Sequence, residues 1–111
     1  MADHKIVLTL TDDIHAVPSS HTTIARVGDT LQYDTNPPDL PFRVEIPGSP
    51  FARVPVLVIE DRNPRVLAAE GRFFWKCFLQ RPRDKKFVGW VSGEIPESGG
   101  DVDVRPAPHP Q

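Results

Sequence analysis

Arg72-Phe73-Phe74-Trp75-Lys76-Cys77-Phe78-Leu79-Gln80 is the stretch that decides the fold. A period of two places Phe73, Trp75, Cys77 and Leu79 on one face and Phe74, Lys76, Phe78 and Gln80 on the other, and aromatic side chains suit a pleated surface. The first set is wholly apolar and is read as the inner face. No stretch of helical length elsewhere carries a 3.6-residue apolar stripe, so the neighbours of this strand are expected to be strands too.

Toward the C-terminus, a basic loop from Arg81 to Lys86 leads to a strand over Phe87–Val91. Ser98-Gly99-Gly100 then introduces Asp101–Arg105, with Val102 and Val104 expected to face inward and Asp101 and Asp103 outward. Toward the N-terminus, Asp61-Arg62-Asn63-Pro64 reads as a turn joining the apolar run Arg53–Glu60 to Arg65–Ala69. Pro47-Gly48-Ser49-Pro50 ends a strand in which Phe42, Val44 and Ile46 alternate with Arg43 and Glu45. Asn36-Pro37-Pro38-Asp39 is a loop, because proline cannot donate to a ladder. Gly28-Asp29 is read as a two-residue hairpin turn between His21–Val27 and Thr30–Asp34. Asp12–Ser20 is read as a loop, and Lys5–Thr11 as the first strand.

About seven or eight short strands at intervals of roughly ten residues have the spacing of a sandwich or barrel. The 13 prolines among 111 residues fit many short elements joined by turns. The expected architecture is all-β, an antiparallel Greek-key β-sandwich in one domain over residues 1–105. Residues 106–111 form a proline-rich tail.

Hydrophobic residues make up 39% of the chain and charged residues 25%, ordinary globular usage, and the formal charge of −2 gives no whole-molecule attraction for nucleic acid or anionic lipid. No apolar run is long enough for a spanning helix, so no membrane partner is expected. The N-terminal residues lack a basic stretch followed by an apolar one, and Cys77 is the single cysteine, which together suggest a cytoplasmic location.

Phosphate-binding glycine loops, C-x-x-C, H-E-x-x-H, G-x-S-x-G and EF-hand spacings are all missing. Cys77 on the inner face reads as a small buried hydrophobe; as a nucleophile it would need a base, and no histidine lies near it in sequence. His4, His15, His21 and His109 all fall outside the strand cores, and Asp12-Asp13-Ile14-His15 is a weak metal signal best read as a solvated loop. Arg81, Arg83, Lys85 and Lys86, beside aromatics such as Phe74, Phe78 and Trp90, have the residue types of a single-stranded nucleic-acid platform. A charged hairpin tip that keeps a strand edge soluble explains the same residues.

Arg26-Val27-Gly28-Asp29-Thr30-Leu31, Pro41-Phe42-Arg43-Val44, Gly71-Arg72-Phe73-Phe74-Trp75-Lys76-Cys77 and Gly99-Gly100-Asp101-Val102-Asp103-Val104, in that order, resemble the strand plan of cupredoxins. The resemblance covers about His21 to Arg105. It implies a cupredoxin-like sandwich, and in that family a blue-copper site of two imidazoles, a thiolate and a weak axial methionine. Only Cys77 can be carried over. Phe42 stands where the first histidine is expected, no histidine follows Cys77 until His109, and Met1 is the only methionine.

The sequence therefore points to a non-enzymatic binding or interaction module with no cofactor and no metal. Its expected contact surface is a sheet face around Phe74, Phe78 and Trp90, and its expected partner a second copy or another protein. The alternatives are nucleic-acid or anionic-ligand binding through Arg81, Arg83, Lys85 and Lys86, and a cysteine-dependent enzyme using Cys77.

Overall fold

The computed structural model describes residues 2–46, 58–90 and 99–107. Among the described residues, ten strands make up two sheets. The smaller holds β1 (Asp3–Thr11), β2 (His15–Pro18), β4 (Thr30–Asn36) and β7 (Arg65–Val66) in the order β2-β1-β4-β7. The larger holds β3 (Thr22–Arg26), β5 (Phe42–Glu45), β6 (Val58–Ile59), β8 (Gly71–Gln80) and β10 (Gly99–Arg105) in the order β3-β10-β8-β5-β6, with β9 (Phe87–Gly89) on β8. Of the expected elements, residues 47–57, Val91, Ser98 and the tail from Pro108 onward, including His109, lie outside the described residues.

Alternation works as the sequence predicts. The two sheets close on each other through Ile6, Leu8, Leu31 and Tyr33 from one side and Phe42, Val44, Trp75, Cys77, Leu79, Val102 and Val104 from the other, all buried. Each such large apolar side chain contributes roughly 1.5–3 kcal/mol of transfer free energy relative to exposure. Tyr33 and Trp75 meet edge to face across the core, ring centroids 5.4 Å apart.

Most pairings are antiparallel, but two run parallel: β1 with β4, where Ile6 sits opposite Tyr33, and β3 with β10, where Val104 sits opposite Ala25. Gly28-Asp29 is consequently not a hairpin turn. It carries the chain from β3 in one sheet to β4 in the other, because Ala25 and Leu31 can both be buried only if the flanking strands lie in opposite layers. Gly28, at φ 99°, makes the left-handed bend. Its N–H donates to the Leu67 carbonyl and Leu67 N–H donates to the Asp29 carbonyl, both at 2.8 Å, so the crossing is tied to the end of β7.

Asp61-Arg62-Asn63-Pro64 likewise joins strands of different sheets, β6 and β7, rather than turning one back on the other. Arg62 pins this corner by donating to Asp34 Oδ1 at 2.9 Å and to Thr35 Oγ1 and the Leu40 carbonyl at 2.7 Å. Asp12–Ser20 is more than a loop. Asp12 and Asp13, with φ of 54° and 58°, make a tight turn into β2, an edge strand that buries Ala16 and Pro18. Aspartate tolerates that left-handed conformation better than most residues do.

Candidate interaction face and the placement of the site residues

The outer face of the larger sheet carries the residues that alternation leaves over: Ile24 on β3, Val58 on β6, and Arg72, Phe74, Lys76 and Phe78 on β8. Ile24, Val58 and Phe74 are 55%, 45% and 59% exposed. They come from three separate strands of one surface, and the only other large apolar side chains this exposed among the described residues are Ile14 and Val66, which lie elsewhere. Ile24 and Val58 stand on the two edge strands of this face with Phe74 on β8 between them, charged side chains separating them.

Cations lie across the aromatics of this face. Arg72 covers Phe74 at 5.2 Å, Lys76 covers Trp90 at 5.3 Å and Arg43 covers Phe87 at 5.3 Å. Such contacts shield a ring from water while leaving the cation free to pair with a carboxylate. Arg72 does so, donating from Nε to Asp101 Oδ2 at 2.8 Å. Asp101 also accepts from Thr22 Oγ1 at 2.9 Å, and these neighbours leave the aspartate buried rather than solvated as alternation alone suggests. Phe78 corrects the sequence reading in the same way. It is on the outer face but only 7% exposed, so Phe74 and the half-buried Trp90 remain as the accessible aromatics of the expected trio.

The basic loop is partly neutralised. Arg81 grips Asp84 with two bonds, Nε to Oδ1 at 2.9 Å and Nη2 to Oδ2 at 2.7 Å, and its Nη1 donates to the Asp13 carbonyl at 2.9 Å. Arg81 thereby holds the Asp84 carboxyl far below the usual carboxylate range. Arg83 faces Asp13 at 3.7 Å. Lys85, at φ 59°, and Lys86 make no ion pair among the described residues. The loop is docked on the β1–β2 turn, and two of its four cations face carboxylates.

Cys77 is fully buried opposite Val44, with Sγ donating to the Ala16 carbonyl at 3.2 Å. Burial pushes its thiol up to about 12. His15 opens β2, and His21 Nδ1 meets the Gly99 carbonyl at 2.9 Å. His4 lies within β1 and not before it. Its Nε2 is 2.9 Å from Asp29 Oδ2. Among the described residues no three His, Cys, Asp or Glu side chains are grouped to hold a metal ion. With Phe42 and Val44 on the facing strand and no imidazole grouped with Cys77 among the described residues, these side chains do not fit a blue-copper centre.

Asp29 was not signalled by any motif, yet its carboxylate ties together three separate donors. Oδ1 accepts from Ala2 N at 2.9 Å, and Oδ2 accepts from Arg26 N at 3.0 Å and from His4. The Ala2 amide foremost, then His4, holds its carboxyl at about 2. An acid directly after a glycine at a sheet crossing was the available clue.

No protein-family model matches the sequence, and no curated protein matches it. Solved structures do. A pseudoazurin from Methylobacterium extorquens AM1 is similar at 16% identity over 92% of this chain and 74% of that one, with a TM-score of 0.57. A pseudoazurin from Sinorhizobium meliloti is similar at 15% identity over 96% of this chain and 77% of that one, TM-score 0.58. A purple cupredoxin from Nitrosopumilus maritimus is similar at 17% identity over 93% and 100%, TM-score 0.53. The chain is thus a cupredoxin-like β-sandwich. At these identities the likeness is one of fold.

Proposed function

We propose that this protein is a non-enzymatic interaction module that self-associates through the outer face of its larger sheet. The observation that carries the reading is the exposure of Ile24, Val58 and Phe74 on that one surface. Both signs of charge lie among them, Lys76 beside Glu45 in register and Arg72 beside Asp103, so two copies of the face can meet with opposite charges opposed. Nucleic-acid binding is less well supported, since Arg81 and Arg83 are already engaged by carboxylates. Catalysis by Cys77 lacks an accessible thiol and, among the described residues, a metal- or base-forming cluster beside it.

Sedimentation velocity over a hundredfold range of concentration tests the reading. The native protein should show a concentration-dependent dimer, and Phe74→Glu should shift the equilibrium to monomer by at least tenfold while leaving thermal stability nearly unchanged. A native protein that stays monomeric throughout refutes self-association.

A further inference from the structure

A second feature, which shares Ile24 with that face, lies where β3 crosses over to β4. A groove of about 530 Å³ opens there, lined by Ala2, His4, Ile24, Arg26, Gly28 and Arg105 among others. That volume is within the range of small-molecule sites.

Arg26 and Arg105 are direct partners across the parallel β3–β10 pair, and both are exposed. Like charges held opposite each other on neighbouring strands repel and destabilise the pairing unless an anion lies between them. Their existing contacts leave most of each guanidinium fork unused. Arg26 donates from Nη1 to the Pro106 carbonyl at 3.2 Å, and Arg105 Nη2 approaches Asp103 Oδ2 only to 3.6 Å. Asp29, the groove's own carboxylate, is consumed by its three donors. Because it is ionised, its 2.9 Å contact requires the proton of a neutral His4 to sit on Nε2, which leaves Nδ1 without a partner among the described residues. A side chain built on Gly28 would meet nothing within 4 Å, so the backbone there is open to a ligand. Ile24 and Val27 add apolar wall.

We infer that this groove binds a small molecule bearing an oxyanion, with Arg26 and Arg105 clamping the anion and Ile24 and Val27 taking an apolar substituent. Planar guanidinium forks bind carboxylate and phosphate oxygens in pairs, which is the chemistry two adjacent arginines offer. The ligand displaces the long Arg105–Asp103 contact.

The test is a titration of ¹⁵N-labelled protein at pH 7 with phenyl phosphate, phenylacetate and inorganic phosphate in turn, following the amides of Arg26, Val27 and Gly28. Saturable shifts confined to these residues are expected, with the phenyl compound bound more tightly than inorganic phosphate. Preference for phenyl phosphate or for phenylacetate identifies the oxyanion. Binding should weaken at least tenfold in Arg26→Ala/Arg105→Ala, whose exposed positions leave the rest of the spectrum in place, and recover in part with lysine at both sites. Shifts that grow linearly without saturation, or an affinity unchanged in the double alanine variant, overturn the inference.

Discussion

Replacing Asp29 with asparagine separates the charge of this side chain from its shape. The native carboxylate takes donors from Ala2, Arg26 and His4 and is 10% exposed, so the Coulomb part of these bonds is little screened by water. Its carboxyl titrates at about 2 against 3.8 in the unfolded chain. A depressed carboxylate contributes stability above the unfolded value and loses it as pH falls through the folded one. Linkage at about 1.4 kcal/mol per unit then assigns the ionised group about 2 kcal/mol at pH 7.

Asp29→Asn should therefore lower the unfolding free energy by about 2 kcal/mol at pH 7, a Tm loss of roughly 6–12 °C for a domain of this size. The difference from the native protein should shrink between pH 4 and pH 2 and vanish below it. Urea titrations of both proteins at pH 7, 4, 3 and 2 read this directly. A deficit that persists undiminished at pH 2 would show that packing at the crossing, and not the ionised carboxylate, supplies the stability.

Two further perturbations probe the core. Cys77 should react with a thiol reagent at pH 8 at least a hundredfold more slowly in the native protein than in urea, because its thiolate is disfavoured and covered; rapid native labelling, read by absorbance, would contradict its burial. Gly100→Ala should destabilise by about 2 kcal/mol or more, since the added Cβ would lie 2.4 Å from the His21 carbonyl oxygen and 2.6 Å from the Trp75 ring; an unchanged Tm would mean that β3 and β10 can part without cost.

How much of this was legible in the sequence depended on the range of the forces involved. Alternation in Arg72–Gln80 and Phe42–Ile46 is a local signal, and it placed Trp75, Cys77, Leu79, Phe42 and Val44 in the core correctly. The Gly28-Asp29 signal was read as a hairpin because the same backbone bend serves a turn within a sheet and a step between sheets; what distinguishes them is Leu67, far along the chain. β2 went unread since Ala16 and Pro18 carry little strand propensity, and an edge strand tolerates them.

Site residues were harder. Asp101 is covered by Thr22, 79 positions away, and the basic loop is docked through Arg81 on the Asp13 carbonyl, 68 positions away, so neither the burial of one nor the docking of the other has a local trace; only the Arg81–Asp84 pair is local. Phe78 looked available on its outward face until the facing strands were known. The Arg26–Arg105 juxtaposition exists only through the β3–β10 register.

That register also governs the order of events during synthesis. β10 is the strand between β3 and β8, yet its residues leave the ribosome after those of both. Until Gly99–Arg105 emerge, the β3 backbone has no ladder partner on its β10 side, and Ala25 lacks the neighbours that bury it. Once β8 has emerged, the nascent chain holds two open strand edges in water until β10 follows, a state prone to pairing with other chains. Final closure then waits on contacts spanning nearly eighty residues, which places the slow step of folding after β10 has emerged.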